Sequence, residues 1–224
     1  MELTSGQRND YEFVRKRNSI IQQHLNTISE SISAVLFKEK NSKFYGFLFP
    51  LQSENQIKER IAEVKNQFPG ANHYCYAFRL RGTNENLIYR ASDDGEPSGT
   101  AGQPIYGQLL SADLVNVLCI VVRYFGGVKL GTGGLITAYR ESARLTIAEA
   151  VLEKFEPKAQ FQISGPYGQE AAIFRLLKKV QGEIIDKSAG TEISIEFSIK
   201  VTAVESLHTS FSEYNHVLRL TEIS

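Results

Sequence analysis

Between Arg123 and Gly134 the chain reads Arg-Tyr-Phe-Gly-Gly-Val-Lys-Leu-Gly-Thr-Gly-Gly, five glycines with one arginine and one lysine between an apolar strand and a long helix. Glycine lets backbone N–H groups turn outward, and the first turn of the following helix adds unpaired N–H groups carrying partial positive charge. Such a segment suits an anion, above all a phosphate. The candidate anion or RNA contacts are Arg123, Gly126, Gly127, Lys129, Gly131, Thr132, Gly133 and Gly134, with Arg140 and Arg144 further along the helix. The two arginines are four apart and face the same way, a like-charge pair that calls for a negative neighbour. Glu141 or Glu149 can supply it. Over residues 120–145 four basic side chains stand against one acidic one, which favours a phosphate or carboxylate ligand. Plain packing is the other account: Gly126-Gly127 turn the chain and Gly133-Gly134 allow a close approach.

Upstream, Ser92-Asp93-Asp94-Gly95-Glu96-Pro97-Ser98 brings three carboxylates together, the hard oxygen ligands that Mg²⁺ or Ca²⁺ takes. The spacing is not that of a calcium loop. Asp-Gly is first a turn signal, and Ser98 or Thr100 suits the cap of a short helix. A third role for Asp93, Asp94 and Glu96 is pairing with Arg123 or Arg140 across the fold. His73 and Cys75 share one face of a strand, but that face continues into Ala77, so both read as inert core. Two cysteines with scattered histidines do not make a zinc site. No Gly-x-Ser-x-Gly elbow is present, and no Lys-Ser/Thr pair follows Gly131 to complete a P-loop. No catalytic residue, metal set or cofactor motif can be assigned. Among the aromatics nearby, Tyr124, Phe125 and Tyr139 are either stacking platforms or core, with Phe125 reading as core.

Elements that position these residues follow from hydrophobic periodicity. Strands are expected over Ala34 to Lys40 and Phe44 to Pro50, joined through Asn41-Ser42. A helix follows over Ser53 to Phe68, with Ile57, Ile61 and Val64 on one face. Strands His73 to Leu80 and Leu87 to Ala91 precede the acidic loop, and a short helix runs from Pro104 to Ser111. Val115 to Phe125 is the central strand and Leu135 to Lys154 the longest helix. Beyond Phe155 the order becomes strand, helix, strand, strand, helix, strand, the β-α-β-β-α-β order of a ferredoxin-like domain. Three segments result: a helical arm over 1–28, with apolar positions at Tyr11, Val14, Ile21, Leu25 and Ile28, a first domain over 29–155 and a second over 156–224.

The chain has 224 residues with 25 basic and 25 acidic side chains, so no global field draws it to nucleic acid or to a membrane, and any anion site is local. No apolar run approaches the ~20 residues of a membrane-spanning helix. Cys75 and Cys119 lie inside apolar strands, which together with the absence of a signal-peptide pattern places the protein in the cytoplasm.

Gly102-Gln-Pro, the apolar strand, Arg123-Tyr-Phe-Gly-Gly, Lys129-Leu-Gly-Thr-Gly-Gly-Leu and Ala138-Tyr-Arg-Glu-Ser-Ala, together with Ser92-Asp-Asp-Gly-Glu-Pro-Ser-Gly-Thr100, resemble the IMPACT/YigZ family from about Ile32 to the C-terminus. The resemblance implies an α+β protein with a ribosomal protein S5 domain 2-like first domain followed by a ferredoxin-like one. That pair is similar to the fourth and fifth domains of the elongation factor that drives ribosomal translocation. By that likeness, Arg123, Lys129, Arg140 and Arg144 would contact RNA, the ribosome or a translation factor, without reading a DNA sequence. Eukaryotic relatives regulate translation initiation through an additional N-terminal domain, which the arm over 1–28 is too short to replace. The alternative implied by the loop is an enzyme or binding protein for a phosphorylated small molecule, with Gly131 to Gly134 as the cradle.

Overall fold

Strand β6 (Val117–Tyr124) organises the first part of the chain. In the computed structural model, which describes residues 25–81 and 87–223, seven of its eight residues are buried. Successive side chains of a strand point to opposite faces, so Val117, Cys119 and Val121 enter one core while Leu118, Ile120 and Val122 enter another. A strand buried on both faces reads as a continuous apolar run, and this one does.

The chain divides into two compact units, 1–155 and 156–224. In the first, β2 (Ile32–Glu39), β3 (Ser42–Pro50), β4 (His73–Arg81) and β5 (Leu87–Ser92) join β6 in an antiparallel sheet of order β2-β3-β6-β4-β5. Helix α1 (Asn55–Gln67) covers one face through Ile57 and Val64. Helices α2 (Gly102–Ser111) and α3 (Gly131–Ala148) cover the other through Ile105, Leu109, Leu135, Tyr139 and Ala143. The second unit orders β8 (Lys158–Gly165), α4 (Glu170–Lys179), β9 (Glu183–Ala189), β10 (Ile193–Lys200), α5 (Val204–Phe211) and β11 (Arg219–Ile223). Its sheet runs β11-β8-β10-β9, all antiparallel, around one apolar core.

Four local expectations are corrected. The β2–β3 turn is Lys40-Asn41, with φ +42° and +66°, while Ser42 opens β3 and is buried. Two residues of positive φ are what a tight twisted hairpin needs. Helix α3 begins at Gly131 rather than Leu135, because first-turn N–H groups have no helical partner and glycine is tolerated there. It ends at Ala148 rather than Lys154: Glu153–Lys154 form β7, which pairs with β1 (Asn26–Thr27). That pairing makes Asn26–Thr27 a strand where the expected N-terminal helix would run to Ile28, and the rest of the arm, residues 1–24, lies outside the described residues. Leu25 and Ile28 are buried in the first unit.

Helix α3 lies so close to β3 that a Cβ on Gly46 would fall 1.7 Å from Thr146 Oγ1. Overpacking of this kind costs about 1–3 kcal/mol. Gly46→Ala is expected to lower Tm by about 2–12 °C, and Thr146→Ala in the same chain should recover part of that loss; thermal unfolding of the single and double variants checks both.

Candidate functional site

The end of β6 is fastened before the glycine segment begins. Asn72 N–H donates to Arg123 O (2.9 Å), Asn72 Oδ1 accepts from Phe125 N–H (2.8 Å), and Ser42 Oγ accepts from Gly126 N–H (3.2 Å). A Cβ on Gly126 would stand 2.1 Å from the carbonyl carbon of Asn41, so this glycine is required by packing against the β2–β3 turn. Gly127 (φ +83°) and Gly131 (φ +72°) occupy left-handed backbone with open space where a side chain would stand.

Arg123 is 5% exposed. A buried guanidinium requires a paired anion, and Glu96, 8% exposed, supplies it: Arg123 Nη1 donates to Glu96 Oε1 at 2.6 Å. Tyr139 of α3 donates its hydroxyl to the same oxygen at 2.8 Å, and His73 Nε2 lies 3.8 Å away. Cys75 Sγ contacts Asp93 O and Tyr139 Oη. Burial foremost, and then the neighbouring Cys75 and Glu96, push the Tyr139 hydroxyl far above its usual range. Burial also pushes up both thiols, Cys119 to about 12.

The three loop carboxylates go to three separate tasks. Asp93 accepts N–H bonds from Gly99, Ala101 and Gly102 at 2.8–2.9 Å and thereby caps α2, a task the sequence had suggested for Ser98 or Thr100. Partial burial raises its pKa, but these three bonds outweigh that and hold it below the usual carboxylate range. Asp94 accepts from Tyr74 N–H (2.6 Å), and its carbonyl meets His73 Nδ1 (2.8 Å). Only Glu96 takes the ion-pairing role. Among the described residues, no three His, Cys, Asp or Glu side chains converge as metal ligands.

Above the Arg123–Glu96 pair opens a cleft of about 500 Å³. Asn72, His73 and Phe125 line it together with Lys129, Gly131 and Thr132 at the start of α3. That helix has no side-chain cap and no acid in its first turn. Phe125 is 45% exposed, contrary to the expectation of core, because β6 ends one residue earlier. Tyr139 is core. The structure therefore joins Arg123, Lys129, Gly131 and Thr132, but not Arg140 or Arg144. Arg140 faces a second, shallower depression beside Gln103 and Ser111 of α2. Arg144 is held by Glu141 through two bonds of 2.7 and 2.8 Å. Asn72, which no sequence motif marked, and His73, which read as core, also belong to the cleft. Their only signal was position, at the strand start paired with the end of β6.

Strands β3 to β6, helices α1 and α2, all of α3 but its last residue, and the cleft at the start of α3 fall within the stretch matched by the Impact N-terminal domain family, residues 40–147; β2 precedes it. An IMPACT family member of Haemophilus influenzae is 32% identical over 85% of this chain and 95% of its own length. The chain therefore belongs to the IMPACT family. IMPACT family member YvyE of Bacillus subtilis is 42% identical over 52% of each chain. A crystal structure of a hypothetical protein superposes with a TM-score of 0.68 at 26% identity, over 89% of this chain and 97% of that one.

Because the Asp93 pKa is depressed on folding, its contribution is fully present above the unfolded value of about 3.9 and is lost as pH falls through the folded value. Asp93→Asn should cost about 1–3 kcal/mol at pH 7, and denaturant titrations should show the gap from wild type shrinking below about pH 4. For the thiols, Ellman's reagent at pH 8 should find Cys75 and Cys119 unreactive in the native protein and two reactive groups after unfolding. Native reaction at the rate of a free thiol would contradict the buried assignment.

Proposed function

We propose that this IMPACT-family protein is a cytoplasmic, translation-associated protein that contacts RNA, in the setting of the ribosome, through the cleft at the start of α3. The observation that carries the reading is one exposed aromatic ring, Phe125, beside an exposed Lys129 that has no ion-pair partner among the described residues, at an uncapped helix N-terminus. Base stacking on an aromatic face plus a cation and backbone N–H groups for phosphate is how sequence-tolerant RNA contacts are built. Family membership supports the translation part, since eukaryotic relatives in the resemblance set out above regulate translation. On the same reading the first unit is ribosomal protein S5 domain 2-like and the second ferredoxin-like, the latter supported by its β-α-β-β-α-β order and its 4-1-3-2 sheet. Neutral net charge fits a local contact rather than broad adhesion to nucleic acid.

Co-sedimentation of the purified protein with ribosomes at two salt concentrations tests this. Lys129→Ala should lower the slope of log K against log salt by roughly one, and Phe125→Ala should weaken binding by about 1–3 kcal/mol. Arg140→Ala, outside the cleft, should leave both nearly unchanged. Absence of salt-sensitive binding by the wild type, or loss through Arg140 in place of Lys129, would overturn the assignment.

A further inference from the structure

A phosphodiester passing over a surface is served by an exposed lysine and a helix N-terminus. This cleft holds something more. Arg123 lines it at 5% exposure, with Nη1 committed to Glu96 and Nε buried without a hydrogen-bond partner. Buried unpaired donors are uncommon in native structures and call for a reason. The guanidinium is also fixed in place, its carbon lying 5.6 Å from the Phe44 ring centre and 5.5 Å from that of Phe125. Three kinds of donor thus border one space: Arg123, Lys129 and the amides at the start of α3. Glu96 borders it as well, its Oε1 accepting from Arg123 and Tyr139, so Arg123 offers a ligand its remaining N–H donors while Lys129 brings the unmatched positive charge.

We propose that the cleft binds a phosphate monoester, with its terminal oxygens on Arg123, Lys129 and the α3 amides, and the attached nucleoside against Phe125. A diester offers two non-bridging oxygens and one negative charge. A monoester offers three terminal oxygens and a charge near −2, which matches three donor groups. The volume of about 500 Å³ is within the range of small-molecule sites. A free mononucleotide and the 5′-phosphorylated end of an RNA strand share this chemistry. The inference deepens the RNA reading and rests on its assignment of the cleft, not on ribosome binding.

Calorimetric titration of the full chain with AMP, adenosine and inorganic phosphate, alongside amide chemical shifts for Gly131 to Gly134, is the test. AMP should bind at least tenfold more tightly than adenosine, inorganic phosphate should compete with it, and the four amides should shift. Lys129→Ala should weaken AMP at least fivefold while leaving adenosine unchanged, and Arg140→Ala should change neither. Equal affinity for AMP and adenosine, indifference to Lys129→Ala, or unmoved amides would overturn the proposal. A short RNA carrying a 5′-phosphate, compared with its 5′-hydroxyl twin, separates the sources once AMP binds. Preference for the phosphorylated strand assigns the RNA end, and equal binding assigns the free nucleotide. Salt-sensitive ribosome binding without an AMP preference would remove the monoester and leave the RNA reading. AMP binding without co-sedimentation would do the reverse.

Discussion

A guanidinium held at the end of a central strand, away from water, constrains everything around it. Arg123 follows the apolar run of β6 and points to the face covered by α2 and α3, where an unpaired cation would be intolerable. Glu96 must therefore reach it, which fixes the conformation of the loop between β5 and α2. Tyr139 donates to the same carboxylate and so ties α3 to that loop. Removing one partner of such a buried pair commonly costs about 3–5 kcal/mol, whereas the intact pair adds little net stability. Its value lies in specifying one arrangement: three segments far apart in sequence meet at one carboxylate oxygen, and the floor of the cleft is the result.

The glycines around this centre divide by physical role. Gly46 admits α3 to the sheet and Gly126 admits the loop to the β2–β3 turn; both are packing requirements imposed by nearby atoms. Gly127 and Gly131 have positive φ with nothing close to a Cβ, and Gly133 is open as well. The two accounts of the glycine segment, tight packing and exposed backbone, therefore each describe a different part of it. The packing glycines set where the segment starts, and the open ones keep the start of α3 accessible.

Strand positions were largely legible in the sequence because burial imposes a clear period: β6 as an unbroken apolar run, α1 through Ile57, Ile61 and Val64, the second unit through the alternation of β8 and the first half of β10. Helix ends were less so. Nothing in Glu149 to Lys154 breaks a helix by composition; α3 ends there because Glu153–Lys154 pair with Asn26–Thr27, a contact 126 to 128 positions away in sequence. Arg123 and Lys129 could be read as site residues from local chemistry. Asn72, His73 and the exposure of Phe125 could not, since they depend on which strand starts beside the end of β6. Clustering of Arg140 and Arg144 with them failed for a similar reason: helical periodicity gives a direction around α3, and that direction leads to a different depression and to Glu141.

The helix starts differ in how their first-turn N–H groups are met. Asp93 spans the start of α2 with three bonds, α4 and α5 carry Glu170 and Glu205 in their first turns, and α1, like α3, has neither a capping side chain nor a first-turn acid. Helix α3, at 18 residues the longest of the described helices, has neither a cap nor an acid, and three of its first four residues are glycine. Glycine disfavours helix by up to about 1 kcal/mol relative to alanine, and a capping side chain contributes about 1 kcal/mol. The chain thus forgoes local stability at the helix start that borders the Arg123 cleft. Burial of Leu135, Ala138, Tyr139, Ala143 and Ile147 along the sheet more than compensates, so the first turn can be left to meet its hydrogen-bond partners from outside the protein.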